Sequence, residues 1–571
     1  MHRNRFLLLV AIFFLIRLPL CATQIYVPLQ NPVYPFLNRL HVAGVLPDYN
    51  PNIKPATRDY VAEMLEQIDS QRTQLSTVDR RLLDEFIADY RLELTDQRYL
   101  EILAGQTTYF PLKSLQGFKS AVSNIFHYTP QKEDLHLMAY ESGGEVIWFD
   151  VQEMFRYRVK NDIGRFFNQQ SYQLSAQFGP HFSAYSAGYL YNYQSKKGFT
   201  ELPEEYRGGF FGRHNEFEGN VQYNSFDYAH AYVQYASRLG RFELGMRPVI
   251  WGNSANSMIL SNNVNPFPFV QWTKDVGRSR FTFMHGSIQP AEASIVNNET
   301  GSVKYAPKYI VGHRWEIALS KKLRGAFSEM VIYGDRDPEL VYFIPTIFLW
   351  PVQHSLTKKN QDNILWFLEG QYFPINHLKL YGTILIDELR FSEMFKDWSG
   401  NRWAVQGGLQ IAPHLSTFST DFTFEFTAVR PWTYTHRVPL FGTYTHSGNS
   451  LGFYAGPNSQ LISYENRWWL SRRSTVSLGY KILKHGESFT PPDNPDYFPV
   501  GSDPNQNYAK SNPKYDHSTG WLFGDIKTTQ SLDLTWNYIL SNTLNLKLGY
   551  SYRDIEGTGD NLLTFQLGFD Y

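Results

Sequence analysis

The sequence predicts a mainly β fold: a transmembrane antiparallel β-barrel preceded by a small N-terminal α-helical bundle. Aromatic residues make up 16% of the 571 residues, yet past the N-terminus no apolar run reaches the roughly 20 residues that a membrane helix needs. From about residue 134 onward apolar and polar residues alternate with a period of two. The first residues have the pattern of an export signal, which places the chain outside the cytoplasm.

The export signal occupies residues 1–22. Arg3 and Arg5 precede the apolar residues 6–16, and Ala22 fits the last position before a cleavage site. Cys21 is the single cysteine of the chain and lies in this segment. We therefore expect a mature protein without a disulfide or a reactive thiol.

Residues 23–95 are predicted to form a periplasmic helical module. Gly44 follows a helical run and is expected to end the first helix, and Thr57 can cap the second. Ser76 and Asp79 form a capping-box pattern in front of a third apolar stripe that includes Leu82 and Phe86. Residues 96–133 are predicted to be a linker.

Residues 134–571 are predicted to form the barrel. Near the C-terminus, Phe565, Leu567 and Phe569 alternate with polar or small residues. A soluble sandwich alternates too, but aromatic strand ends and strands of about ten residues favour a membrane barrel. Closure removes the edges that an open sheet of this length would leave, and the available residues suffice for roughly 16 to 20 strands.

Composition and motifs exclude several functions. With 53 Lys and Arg against 54 Asp and Glu, the chain has no basic excess for binding nucleic acid. We find no credible catalytic, cofactor or metal motif, and His214 lacks the second histidine that a metal helix would provide. We therefore predict no cofactor and no enzyme activity, with a membrane-embedded hydrolase as the least supported alternative.

Several charged and aromatic residues near predicted strand ends are candidates for lining the lumen or binding a glycan. Carboxylates can bind sugar hydroxyls, and aromatic rings can stack on the apolar face of a pyranose. The alternative is structural, because charges inside a barrel pair with one another and aromatic residues anchor a barrel at the interface. The candidates are Asp387, Glu388, Asp421, Glu425, Arg430, Trp432 and Tyr434.

The sequence also resembles a known family. Residues 240–262 (GRFELGMRPVIWGNSANSMILSN), 345–363, 380–388, 425–436 (EFTAVRPWTYTH) and 446–459 are similar, in order and spacing, to segments of the capsule assembly Wzi family of outer-membrane proteins. Residues 33–65 resemble the N-terminal helical part of one branch of that family.

The resemblance implies a barrel of about 18 strands with a periplasmic helical bundle. It implies a lectin-like role in the assembly or attachment of capsular or exopolysaccharide at the bacterial outer membrane. The expected partners are surface polysaccharide, outer-membrane lipid and the barrel-assembly machinery, and the expected state is a monomer.

The N-terminal segment also supports an alternative function. Residues 33–62 also resemble a surface-layer-homology motif, with Gly44, Asp48, Thr57 and Arg58 in fitting positions. That motif would make the protein an outer-membrane porin or sugar channel tethered to the cell wall. A channel requires a continuous water path, whereas the capsule role predicts a plugged lumen.

Overall fold

The computed structural model describes most of the chain between residues 25 and 570. The described ranges are 25–90, 93–94, 106–109, 128, 136–142, 145–196, 214–292, 295–296, 303–356, 362–394, 396–415, 417–489, 499–508 and 519–570. The predicted signal peptide, residues 1–22, and most of the predicted linker, residues 96–133, lie outside the described residues.

Within these ranges, 18 antiparallel strands form one closed barrel, which confirms the predicted fold. Each strand pairs with the next, and the last strand pairs with the first over residues 562–570 and 152–160. In chain order the strands are β1 (Glu145–Lys160), β2 (Ile163–Phe178), β3 (Phe182–Lys196), β4 (Val221–Ser237), β5 (Gly240–Arg247), β6 (Phe267–Val276), β7 (Ser279–Ile288), β8 (Lys308–Ala318), β9 (Leu323–Gly334), β10 (Asn363–Tyr372), β11 (Leu378–Glu388), β12 (Arg402–Ile411), β13 (Ser419–Val429), β14 (Ser459–Ser471), β15 (Ser474–Glu487), β16 (Asp525–Ile539), β17 (Leu544–Ile555) and β18 (Thr558–Asp570).

The alternation seen in the sequence separates the two faces of the wall. Trp536 of β16 lies opposite Leu548 of β17 on the outward face, whereas Asp533 lies opposite Ser551 on the lumen face. Many outward apolar side chains remain exposed and form a belt that suits lipid hydrocarbon. Examples are Tyr172, Leu244, Trp315, Leu368, Phe424, Ile462, Leu563 and Phe565.

The two ends of the barrel differ in their connections. At one end short turns join the strands, for example residues 179–181, 238–239 and 277–278. At the other end residues 248–266 and 430–458 form long loops. In outer-membrane barrels the short turns face the periplasm and the long loops face outside.

Three helices at the N-terminus form the predicted bundle: α1 (Val33–Ala43), α2 (Arg58–Asp69) and α3 (Thr77–Asp89). Gly44 ends α1 with φ 85°, a conformation that favours glycine. The hydroxyl of Ser76 caps α3 by accepting the N–H of Asp79 at 3.0 Å, as the capping pattern predicts. The apolar stripes of the three helices meet in one core that includes Leu37, Leu65 and Leu83.

The bundle packs on the periplasmic end of the barrel. Arg39 forms an ion pair with Asp79, and Asp79 also accepts the hydroxyl of Ser419, the first residue of β13, at 2.9 Å. Arg324 of β9 donates to the carbonyl of Tyr49 at 2.7 Å. These charged side chains are buried, so the bundle is fixed to the wall rather than tethered beside it.

Short elements complete the described structure. The further helices are α4 (Leu349–Leu356) and α5 (Pro439–Gly442), with 3₁₀ turns at Arg72–Gln74, Leu340–Phe343 and Phe391–Glu393. In the part of the chain described here, no helix is long and apolar enough to span a membrane. The short strands are Ile53–Lys54, Gln106–Tyr109, Met138–Ser142, His214–Glu218, Ile250–Trp251, Ile295–Val296, Val303–Lys304, Thr445–His446 and Asn449–Ser450.

Candidate functional site: the plugged lumen and its extracellular mouth

Loop A, residues 248–266, connects β5 to β6 at the extracellular end and folds back into the lumen. Its residue Trp251 pairs with Ile53 of the N-terminal segment, and the N–H of Gly252 donates to the carbonyl of Asn52 at 2.8 Å. Trp251 is completely buried. A segment from the helical bundle and an extracellular loop therefore meet inside the barrel.

Loop B, residues 430–458, connects β13 to β14 and packs on loop A. The rings of Tyr434 and Tyr444 stack with their centroids 5.5 Å apart. Their hydroxyls donate to the carbonyls of Met258 at 2.9 Å and Ile259 at 2.8 Å. The two loops and the lumen wall share one apolar core that includes Trp251, Met258, Leu260, Met284, Ile310, Phe367, Leu385, Tyr434, Tyr444, Leu451 and Phe453.

This core closes part of the lumen as a folded protein interior does. Burial of each large apolar side chain contributes roughly 1.5 to 3 kcal/mol. We refer to loops A and B together as the plug.

Glu425 of β13 ties loop A to the lumen wall. Its carboxylate accepts hydrogen bonds from the hydroxyl of Ser254, from Asn256 Nδ2 at 2.8 Å and from Tyr381 Oη at 2.7 Å. Lys379 of β11 adds a further tie by donating to Asn253 Oδ1 at 2.6 Å. Buried charges are stable only when they are well hydrogen-bonded, and these groups satisfy that requirement through the loop.

Loop B has its own polar anchors. Lys308 of β8 is completely buried and donates to the carbonyl of Thr445 at 2.7 Å. His446 accepts the N–H of Gln289 through Nδ1 at 2.9 Å. Burial, together with the charge of Lys308, lowers the pKa of His446 to about 3, so this histidine stays neutral and keeps its acceptor at neutral pH.

The structure places most of the predicted site residues in or beside the plug. Asp387 Oδ2 accepts the N–H of Tyr434 at 2.7 Å. Arg430 donates from its guanidinium to the carbonyls of Asn401 and Thr519, at 2.9 and 2.8 Å. These side chains therefore join extracellular segments that are distant in the sequence.

The two predicted aromatic residues are structural elements of loop B. Trp432 and Tyr434 are 2% and 0% exposed, and both have positive φ angles. The N–H of Trp432 donates to the carbonyl of Gly501 at 2.9 Å. Neither ring presents an open face to a sugar in this conformation.

Asp421 lies apart from the other candidates. It is close to the periplasmic end of β13, opposite Arg467 of β14, and within electrostatic range of Arg39 in α1. Sequence position alone could not separate it from Glu425, because both face the lumen on the same strand.

Two small groups of side chains lie near the extracellular mouth, and most of their residues were not among the predicted candidates. Arg402 makes a salt bridge of 2.7 Å to Glu388, whose side chain is 59% exposed, and its guanidinium lies 3.6 Å from the ring centroid of Tyr508. The guanidinium of Arg390 lies 4.5 Å from the ring of Trp398. We name Glu388, Arg390, Trp398, Arg402 and Tyr508 the mouth cluster.

Only Glu388 of the mouth cluster was a predicted site residue. Tyr508 lies in the segment 485–520, which its composition marks as a long loop. No sequence signal connects Tyr508 to Arg402, because the contact forms only when the loop after β15 reaches the start of β12.

A second part of the lumen is lined by polar side chains. On β15 to β17 the lumen-facing residues are partly exposed rather than buried against the plug. They include Lys481, Asp533, Lys547 and Arg553. This polar strip borders the strands that the plug covers, since Leu461 of β14 belongs to the plug core and Leu483 of β15 packs against it.

Comparison with known proteins places the chain in a family. The sequence model described as "Capsule assembly protein Wzi" matches residues 158–558, which is more than half of the chain. No curated protein sequence matches.

Among solved structures, the chain is similar to Wzi of Escherichia coli, an outer-membrane protein involved in group 1 capsule assembly and a carbohydrate-binding β-barrel. The identity is 13% and the TM-score 0.53, over 95% of this chain and 98% of that one. OprD of Pseudomonas aeruginosa is less similar, with 10% identity and a TM-score of 0.41 over 74% of this chain and 95% of that one.

The first of these likenesses supports the same barrel architecture, and the match over residues 158–558 settles the family: the chain belongs to the Wzi capsule assembly family.

Proposed function

We propose that this protein binds surface polysaccharide at the outer membrane and thereby attaches or assembles it on the cell. Membership of the Wzi family supports a role in capsule or exopolysaccharide assembly. The observation that carries the proposal is the plug, because loops A and B place a buried apolar core in the lumen where a channel would need water.

The mouth cluster is our proposed contact surface for the glycan. Trp398 and Tyr508 offer aromatic faces for the C–H face of a pyranose. Arg390 offers hydrogen-bond donors and charge for hydroxyls or acidic sugars. Arg402 is only 7% exposed and holds Glu388 and Tyr508 in place. Glu388 is the predicted candidate that remains exposed enough to take part.

We further propose that the protein acts by binding rather than by catalysis, and that it functions as a monomer. The barrel has no open edge between β18 and β1, so it needs no partner strand to be complete. We also propose that the barrel-assembly machinery inserts it, since Phe565, Leu567 and Phe569 alternate with polar or small residues in the last strand.

The test combines two measurements on the same refolded protein. We expect no steady ion conductance in a planar bilayer and retention of polysaccharide isolated from the same cells. Replacing Trp398 or Tyr508 by alanine should weaken retention roughly threefold to tenfold, the range of one aromatic contact. Trp315→Ala is the control, because Trp315 lies on the outward face of β8.

The second candidate is a channel, and the polar strip on β15 to β17 favours it. That reading predicts open, salt-dependent conductance without polysaccharide retention. Its cell-wall tether is less supported, because Arg58 of the predicted motif is engaged by Glu93 Oε1 at 2.5 Å and by the carbonyl of Asp89 at 2.7 Å. Open, salt-dependent conductance without polysaccharide retention would therefore contradict the capsule function and support the channel function.

A further inference from the structure

The connection between β9 and β10 folds back over the outside of the barrel rather than into its lumen. Residues 335–356 of this connection, which we name the outer flap, contain α4 and the 3₁₀ turn Leu340–Phe343. Tyr342, Leu349 and Val352 of the flap are buried against Phe283, Val311, Val331 and Tyr333. These four wall residues belong to the outward face, because residues two apart on a strand share a face and Trp315 and Phe327 are exposed outward.

The flap covers polar groups on the outward face of the wall, where an uncovered polar group would face lipid. Glu329 of β9 shares the outward face with Phe327 and Val331, and only 3% of it is exposed. Its carboxylate accepts the N–H groups of Leu349 and Trp350 at 2.8 and 3.0 Å. It also accepts the indole N–H of Trp366 at 3.1 Å. His285, another outward residue, is covered by the ring of Phe343 at 4.0 Å between centroids.

The flap is closed at its base by a separate ion pair. Arg336 binds the carboxylate of Asp362 at 2.8 Å, and the hydroxyl of Tyr342 donates to the same carboxylate at 2.6 Å. Both ends of the connection are therefore held, and the surface it presents is a fixed part of the fold.

The surface turned away from the wall is strongly apolar. Leu340 is 85% exposed, Phe348 74%, Trp350 50% and Ile344 47%. In water an apolar patch of this kind is unfavourable unless a partner covers it. Tryptophan beside aliphatic residues is the composition found where a protein meets the border of the hydrocarbon and the headgroups.

The patch is continuous with the lipid belt of the barrel. Glu329 lies in one register row with His313 and Trp366. The next outward row toward the periplasm contains Trp315, Phe327, Leu368 and Ile384, which are all exposed. Two residues along a strand span about 7 Å, so the flap begins directly above exposed hydrocarbon-facing side chains.

We propose that the outer flap is a lipid-binding surface that inserts Leu340, Ile344, Phe348 and Trp350 among the acyl chains of the outer leaflet. The carboxylate of Glu329 beneath it is hydrogen-bonded by the first two N–H groups of α4, and the flap covers this carboxylate with apolar residues that face the lipid. The flap thus provides a lipid contact made by a loop and a helix in addition to the strands. This inference is independent of the glycan-binding function.

The test uses single-cysteine variants labelled with an environment-sensitive fluorophore. Cys21→Ser removes the single cysteine, and Phe348→Cys introduces the label in the flap. Leu368→Cys marks the lipid belt, and Thr558→Cys marks the extracellular end of β18. Each variant is reconstituted in phosphatidylcholine vesicles that contain either acyl-chain nitroxide lipid or aqueous iodide as the quencher.

We expect the label at position 348 to be quenched by the nitroxide lipid and protected from iodide, as the label at position 368 is. Quenching by iodide alone, as at position 558, would overturn the proposal. Protection from both quenchers, with energy transfer that rises with protein density, would also overturn it, because a second copy of the chain would then cover the patch. Heat-modifiable mobility in a gel confirms that each labelled variant is folded.

Discussion

Ile53 and Trp251 lie opposite each other in an antiparallel pair inside the barrel, although one belongs to the N-terminal segment and the other to an extracellular loop. This pair joins the periplasmic bundle to the plug through the lumen. The periplasmic and extracellular ends of the protein are therefore in direct contact through the lumen.

Replacing Trp251 by alanine should loosen the plug. The indole is completely buried in the lumen core, and removing a buried tryptophan costs about 3 to 5 kcal/mol through lost burial and the cavity that remains. We expect loop A to become sensitive to protease and the bilayer conductance to show intermittent openings. Trp315→Ala, which removes the same side chain from the outward face, should leave both properties unchanged, and equal behaviour of the two variants would contradict the role of Trp251.

Replacing Glu425 by glutamine should release loop A without removing side-chain volume. The carboxylate accepts bonds from Ser254, Asn256 and Tyr381, and a neutral amide cannot accept all of them. A lost bond to a charged group costs about 1.5 to 3 kcal/mol. Hydrogen exchange of residues 252–258 should therefore accelerate.

The matched control is Glu388→Gln. The side chain of Glu388 is 59% exposed and pairs with Arg402, so its neutralisation should cost about 1 kcal/mol or less. Slow exchange of loop A in the Glu425 variant would show that the apolar core alone holds the loop.

The barrel and the bundle were predictable because their signals are local. The period-two alternation around Trp536 and Leu548 indicates directly which residues face outward and which face the lumen. Ser76 and Asp79 lie three residues apart, so their cap is visible in the sequence. The direction of each long loop was not predictable, because a loop with apolar residues can turn into the lumen, as loop A does, or lie on the outer wall, as the flap does.

The candidate site was predictable only in part for the same reason. Glu425 and Asp387 look alike in the sequence as lumen carboxylates, yet each bonds a different loop. From the sequence, Trp432 is expected to be an exposed aromatic residue after Arg430 and Pro431. In the structure its backbone has a positive φ, and its side chain is buried in the protein interior. The partner that decides the role is 47 residues away for Asp387 and 169 residues away for Glu425.

Acid should weaken the packing of the bundle on the barrel through His41 of α1. Burial, with smaller contributions from Lys379 and Arg324, lowers the pKa of His41 well below its ordinary value. The folded state thus keeps His41 neutral while the unfolded state takes up a proton below about pH 6.5. The stability contributed by this group is present above that pH and is lost as the pH falls toward the folded pKa, by about 1 kcal/mol between roughly pH 6.5 and pH 5.5.

Hydrogen exchange of residues 33–49 at the two pH values, corrected for intrinsic exchange, measures this loss. His41 Nδ1 donates to the carbonyl of Leu46 at 2.7 Å, and His41→Asn keeps a donor there without a titrating ring. We expect the pH dependence to shrink in that variant and to persist in His354→Asn, which changes an exposed histidine of α4. Equal pH dependence in all three proteins would assign the effect to other groups.

Removing the carboxylate of Glu329 should lift the outer flap from the wall. The first two N–H groups of α4 and the indole of Trp366 all donate to it, and the unpaired donors left in Glu329→Leu cost about 1 to 3 kcal/mol each when they stay buried. We expect faster hydrogen exchange in α4 and a lower temperature for loss of the folded band in a gel. Phe327→Leu, one outward position away on the same strand, should change neither, because Phe327 lies outside the flap contacts. Unchanged exchange of α4 in Glu329→Leu would show that the Arg336–Asp362 pair and the apolar contacts hold the flap without the carboxylate.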